Sequence, residues 1–138
     1  LQVFFLPSMN SFIKYNTLSI LWTACILIGC LLPGRDLPDV AINISDKAIH
    51  FTIYFLLSIF TYYGWIKQNS FYALHRNTIL KIVLLTSTYG FLVEILQHVL
   101  TTDRHFDLYD ALANSTGAIA GCMVCIFLKP MRSQKARY

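Results

Sequence analysis

The residues with the most potential for chemistry stand three or four positions apart, in three parts of a chain that is otherwise apolar. Residues at that spacing share one face of an α-helix, because the helix completes a turn every 3.6 residues. Each part therefore predicts a polar stripe along a single helix. The stripes contain Asp46, Lys47, His50 and Tyr54 in the first, Glu94 and Gln97 in the second, and Asp107, Asp110 and Asn114 in the third, with Arg104 shortly before the third.

The carboxylates of the second and third stripes are suited to a cation. Glu94 together with Asp107 and Asp110 can hold a hard divalent cation through oxygen atoms. His50 or His98 can act as a general acid or base beside it. The pattern identifies no metal and no cofactor, because two aspartates three residues apart occur in many helices.

The basic residues of the same stripes are suited to an anion instead. Lys47, Arg104 and His50 can engage the phosphate of a lipid head group. The sequence contains none of the GxSxG, P-loop or HExxH patterns, so it does not predict hydrolysis through a covalent serine or a zinc protease helix. Cation binding and anion binding both remain open at this point.

Four apolar segments carry these stripes. The chain has 138 residues, of which 56% are hydrophobic and 13% charged, whereas soluble domains carry about 25% charged residues. Each segment has the roughly 17 to 25 residues that a bilayer-spanning helix needs. We expect an all-α membrane protein with one domain over residues 1–138 and four helices at about 17–33, 47–66, 79–101 and 107–128.

The charges between the segments predict the orientation. Four crossings in an up-down-up-down bundle place eight basic residues and no acidic residue on the side of both termini, while all seven acids fall on the other side or in the third segment. By the positive-inside rule both termini are cytoplasmic. Residues 1–15 are expected to form an interfacial segment and residues 129–138 a basic cytoplasmic tail. Because the positive charge is divided by position, it does not indicate nucleic-acid binding.

The three stripes are expected to meet in the outer leaflet. At a rise of 1.5 Å per residue, His50 and Asp110 lie about 5 Å below the outer boundary, and Glu94 about 10 Å below it. Such a cluster is either an internal lock, in which Lys47 or Arg104 neutralises the acids, or a ligand pocket. About ten polar residues exceed what a lock needs, which favours the pocket. The first segment has only a weak stripe and is expected to support the bundle.

Two further features predict packing. Gly117 and Gly121 form a small-xxx-small pattern, which lets a neighbouring helix approach closely. Cys122 and Cys125 are spaced like a redox or metal pair, but an apolar helix without a nearby histidine favours their role as small apolar side chains.

The same polar residues resemble the pattern of VanZ-like membrane proteins. The resemblance rests on the run from Asp46 to Tyr54, on Gly90-x3-Glu94-x2-Gln97, and on Arg104-x2-Asp107-x2-Asp110-x3-Asn114-x2-Gly117-x3-Gly121, and it covers about residues 18–128. It implies a small multi-pass protein of the bacterial cytoplasmic membrane, in a family named for a member associated with low-level resistance to the glycopeptide teicoplanin. It implies no cofactor and no catalytic role, so the motif positions are carried over only as functional residues.

Two functional hypotheses follow from the sequence. The first is a cell-envelope protein that binds an anionic, lipid-linked envelope component, for example a polyprenyl-linked one, in the outer-leaflet pocket. The second is a noncatalytic accessory subunit of a larger membrane complex, with the polar cluster as its internal lock. Both have the lipid bilayer as a partner, the second adds partner membrane proteins, and whether any reaction is catalysed stays open.

Overall fold

The computed structural model describes residues 9–31, 43–68, 76–100 and 107–128, and these form four helices. The helices are α1 (Met9–Leu31), α2 (Asn43–Gln68), α3 (Arg76–Leu100) and α4 (Leu108–Leu128), and the described residues contain no strand. All four are long and apolar enough to cross a membrane. The predicted all-α, four-span membrane fold is therefore confirmed.

The first helix begins earlier than the sequence predicted. It starts at Met9 rather than near residue 17, because the polar residues in between do not interrupt it. Asn16 Nδ2 donates to the Phe12 carbonyl at 3.0 Å, and Thr17 Oγ1 donates to the Ile13 carbonyl at 2.6 Å. Residues 9–15 of the expected interfacial segment are thus helical, while residues 1–8 and the basic tail 129–138 lie outside the described residues.

The polar contacts of α1 with α2 fix their relative direction. Asn16 Nδ2 donates to Gln68 Oε1 at 3.0 Å near the start of α1, and Trp22 Nε1 donates to the Ile53 carbonyl at 2.9 Å farther along. As the residue number rises in α1, its partner's number falls in α2. The two helices are antiparallel.

Helices α2 and α4 run parallel and form the most extensive contact in the bundle. A Cβ atom added to Gly117 would meet the backbone of Phe51, and one added to Gly121 would meet Ser58 Oγ and the Phe55 carbonyl. Both positions therefore hold the backbones of the two helices close together, which only glycine allows.

Helix α3 completes the bundle beside α1 and α4. Tyr89 Oη donates to the Thr23 carbonyl at 2.8 Å, and Gln97 Nε2 donates to the Cys30 carbonyl at 2.9 Å, so α3 runs parallel to α1. Helix α2 contacts the three other helices, whereas α1 and α4 do not contact each other within the described residues. The bundle has the predicted up-down-up-down order. We call the end where α2 and α4 begin and α1 and α3 finish the polar end.

Candidate functional site

The polar end gathers every acidic side chain that the described residues contain. Helix α2 carries Asp46 in its first turn, and α3 brings Glu94 within two turns of its end. Asp107 directly precedes α4, and Asp110 lies in its first turn. Because α2 and α4 run in the same direction and α3 runs against them, these positions reach one level of the bundle. Sequence reasoning predicted this convergence.

Lys47 joins the starts of α2 and α4. Its Nζ donates to Asp107 Oδ2 at 2.9 Å and to Asp110 Oδ1 at 3.0 Å. Asp107 also caps α4, because its Oδ1 accepts the backbone N–H of Tyr109 at 2.8 Å. These hydrogen bonds hold the pKa of the Asp107 carboxyl below its ordinary value. The Lys47 ammonium has the larger effect, and the backbone N–H of Tyr109 has the smaller one. Asp107 is therefore held as a carboxylate.

His50 stands at the centre of the cluster, with its side chain 6% exposed. Its Nδ1 lies 3.1 Å from Asn114 Oδ1 and 3.5 Å from Glu94 Oε1, so one ring nitrogen faces oxygens from α4 and α3. Its Nε2 lies 3.9 Å from Asp46 Oδ1. The imidazole thus connects a buried carboxylate on one side with an exposed carboxylate on the other.

Several buried polar atoms around His50 have no hydrogen-bond partner. They are Glu94 Oε1, Tyr54 Oη and Asn114 Nδ2, on residues that are 2%, 0% and 1% exposed. Leaving such a group unpaired costs about 1–3 kcal/mol. An internal lock would pair every one of these atoms, so the contacts among the described residues alone do not account for them.

A groove between α1 and α2 leads to this cluster. Its volume is about 310 Å³. The lining is apolar except at the polar end, and consists of Trp22, Cys25, Ile26, Gly29 and Cys30 of α1 with Asp46, Ile49, His50 and Ile53 of α2. Sequence reasoning missed the part played by α1. The signal was available, since the α1 lining residues recur at the spacing of one helix face and include small side chains.

One predicted residue, Gln97, contacts a different helix. Gln97 is 4% exposed and bonds to the Cys30 carbonyl, so it ties α3 to α1 beside the cluster. Arg104 lies outside the described residues. His98, the second histidine considered as an acid or base, is exposed. The group of ligating atoms that the described residues bring together consists of Asp46, His50 and Asp110, rather than the expected Glu94, Asp107 and Asp110.

The family model described as VanZ/LLP1 matches residues 2–129. The chain belongs to this family. The match covers nearly the whole chain, including all the residues of the polar end, and it confirms the resemblance seen in the sequence.

The VanZ/LLP1 chain is also similar to an uncharacterised protein of Schizosaccharomyces pombe. The two are 29% identical over 132 residues, which cover 96% of this chain and 76% of the yeast protein. No solved structure matches the chain. Since the yeast protein is itself uncharacterised and eukaryotic, the comparison supplies neither an activity nor a bacterial location.

Proposed function

We propose that this VanZ/LLP1 chain binds an anionic, lipid-linked component of the cell envelope, with the head group at the polar end and the hydrocarbon in the groove between α1 and α2. The observation that carries the proposal is the groove, which is apolar along its length and ends at Asp46 and His50. An amphiphile has the same division into an apolar and a polar part.

The head group would meet donors at the polar end. Lys47 is 37% exposed, and its ammonium uses two of its three N–H donors on Asp107 and Asp110. The third donor can bind a phosphate oxygen. We propose Arg104 as the second basic residue that binds the phosphate, because it stands three residues before Asp107 in the sequence.

The orientation belongs to the same proposal. The polar end faces the outer leaflet of a cytoplasmic membrane, and both termini face the cytoplasm, because eight basic residues lie on the side of the termini. An envelope component carried on a lipid is reachable from that leaflet.

The test fills the groove without disturbing the bundle. A Cβ atom at Gly29 would meet nothing within 4 Å, so Gly29→Trp projects its side chain into the groove. Ile28→Trp is the matched control, because Ile28 is 63% exposed and does not line the groove. Mass spectrometry of lipids that co-purify in mild detergent should find an anionic or polyprenyl lipid with the wild type and Ile28→Trp, and much less with Gly29→Trp. Equal lipid content in all three proteins contradicts the proposal.

A link to glycopeptides would be a consequence of this binding. If the bound molecule is an envelope precursor, expression of the chain in a teicoplanin-sensitive bacterium raises the inhibitory concentration, and Gly29→Trp abolishes the effect. An unchanged inhibitory concentration with retained lipid binding would separate the chain from the resistance phenotype associated with the family.

The double ion pair of Lys47 favours a second candidate, the accessory subunit with an internal lock. Lys47 joins two helices through Asp107 and Asp110, as a lock would. Gentle solubilisation of native membranes distinguishes the candidates. A stoichiometric protein companion without bound lipid supports the subunit, whereas a lone chain that carries lipid supports the first proposal.

A further inference from the structure

We infer that Asp46, His50 and Asp110 form a binding site for a divalent transition-metal ion, for which Zn²⁺ is the best fit. One ligating atom from each residue lies within 4.8 Å of the other two. The three residues come from the starts of α2 and α4, which the Lys47 ion pairs hold together. This site would extend the polar end beyond lipid binding, and it is tested without any lipid ligand.

The surroundings of His50 decide which ring nitrogen carries the proton. Nδ1 faces two oxygen atoms, Asn114 Oδ1 at 3.1 Å and Glu94 Oε1 at 3.5 Å, so the proton belongs on Nδ1. In the neutral imidazole, Nε2 then carries a lone pair and faces the Asp46 carboxylate. Two acceptors oppose each other there, which is unfavourable unless a cation lies between them.

The distances fit a metal ion better than a direct ion pair. Asp46 Oδ1 lies 3.9 Å from His50 Nε2, which is longer than a hydrogen bond. Ligand atoms at about 2.0–2.1 Å from a tetrahedral Zn²⁺ lie roughly 3.4 Å apart. A contraction of about 0.5 Å would close that gap, and the Asp46 side chain is free to supply it because it is 53% exposed.

The buried carboxylate of Glu94 gives the second, independent observation. Glu94 is 2% exposed, and its Oε1, the atom aimed at His50 Nδ1, has no hydrogen-bond partner. A metal-bound histidine usually donates its other ring N–H to a carboxylate, which fixes the ring and raises its basicity. Metal binding at Nε2 would give Glu94 this role and account for its burial.

The balance of charges at the polar end also favours a bound metal ion. Among the described side chains of the polar end, Lys47 is the one permanent cation beside the acidic groups of Asp46, Asp107 and Asp110. A dication reduces the excess of negative charge and leaves open coordination positions. The mixture of imidazole and carboxylate ligands suits Zn²⁺ better than Mg²⁺ or Ca²⁺, which prefer oxygen alone.

The experiment measures zinc binding to the full chain. The purified protein is stripped with a chelator, placed in nanodiscs of uncharged lipid, and titrated with ZnCl₂ in a calorimeter, with the metal content after dialysis measured by mass spectrometry. We expect one Zn²⁺ per chain. Asp46→Asn should weaken binding at least tenfold, and Glu94→Gln should weaken it by about 10- to 100-fold.

His98→Gln is the control, because it removes an exposed histidine of α3 that is not part of the ligand group. It should bind zinc like the wild type. Asp46→Asn tests the site without touching the core, since the Asp46 side chain is half exposed, and an unchanged melting temperature verifies its fold.

Absence of stoichiometric zinc in the wild type, or equal affinity in Asp46→Asn and the wild type, overturns the inference. In that case the contacts of His50 with Glu94 and Asp46 are structural and hold no metal ion. Zinc binding without co-purifying lipid supports this inference while removing the lipid proposal, and lipid binding without zinc does the reverse.

Discussion

The two ring nitrogens of His50 face different surroundings. Its Nδ1 faces the buried oxygens of Glu94 and Asn114, its Nε2 lies toward Asp46, and the residue lines the groove. The fold therefore keeps a carboxylate out of water without pairing all of its atoms. Natural proteins retain such costly groups at sites where stability is exchanged for function.

Glu94→Gln tests whether the buried carboxyl group lowers stability in exchange for function. The amide keeps the shape of the side chain but removes an ionisable group, and burying such a group in its charged form in a membrane costs about 2.5–3.5 kcal/mol. In chelator-treated protein we expect a free energy of unfolding that is unchanged or up to about 2 kcal/mol higher, together with reduced lipid co-purification. Thermal unfolding in detergent and lipid analysis measure the two effects. A strong loss of stability would instead favour the internal lock.

The ion pair of Asp107 predicts that acid lowers the stability of the bundle. Lys47 holds the pKa of this carboxyl below its ordinary value, so the folded state binds the proton less readily than the unfolded chain does. The resulting stability is fully present above the ordinary carboxyl pKa of about 4 and is lost as the pH falls through the lowered value. The melting temperature of the wild type should therefore fall between about pH 5 and pH 2.

The control for this response is Asp107→Asn, which has no carboxyl to protonate at that position. Its melting temperature should be lower than that of the wild type at neutral pH, and the difference should shrink as the pH falls. If the two proteins differ equally at all pH values, the Lys47 pair does not contribute to acid sensitivity.

The members of the cluster could be predicted from the sequence, but their pairings could not. Helical spacing was enough to place Asp46, Glu94 and Asp110 at one end of the bundle. Which carboxylate Lys47 binds depends on the rotation of α2 against α4, and two glycines set that rotation through backbone contacts. Spacing within one helix carries no information about such rotation.

The close contact of α2 with α4 depends on two glycines, which have no side chain to hold the helices apart. Gly117 and Gly121 let the backbone of α2 come close, and the same approach brings Lys47 to Asp110. The charged cluster and the glycine face are thus two parts of one interface.

Gly117→Ala and Gly121→Ala should each destabilise the bundle. The added methyl group would meet backbone atoms of Phe51 or Phe55, which cannot move aside as a side chain can, and such overpacking costs about 1–3 kcal/mol. Gly29→Ala is the matched control, because nothing lies within 4 Å of its Cβ position. It should be neutral or slightly stabilising. Unfolding in mixed detergent measures all three, and equal effects would contradict the parallel packing of α2 on α4.

Helix number and type followed from hydropathy, whereas the start of α1 did not. In a hydropathy profile, polar residues such as Asn16 and Thr17 suggest that the membrane-spanning helix ends there. Their side chains in fact bond to the carbonyls of the preceding turn, so the helix continues through them. Hydropathy does not register this local pairing.

The charges at the two ends of the bundle predict its orientation in the membrane. We expect a cysteine reporter placed at Tyr72 to be protected from a membrane-impermeant reagent in intact cells, and one at His105 to be labelled, in a background with the four native cysteines replaced by serine or alanine. Labelling of both after the membrane is opened is the control. The opposite pattern would place the polar end in the cytoplasm and remove the envelope-facing role.

The bonds from Lys47 to Asp107 and Asp110 join α2 to α4, which is synthesised later than α2. During synthesis, Lys47 and His50 enter the bilayer boundary before the residues that neutralise or orient them exist. A chain truncated after α3 would present this lysine and histidine to membrane proteases without Asp107, Asp110 and Asn114. Formation of the polar end therefore requires the synthesis of α4, and products truncated before α4 should be short-lived in pulse-chase labelling.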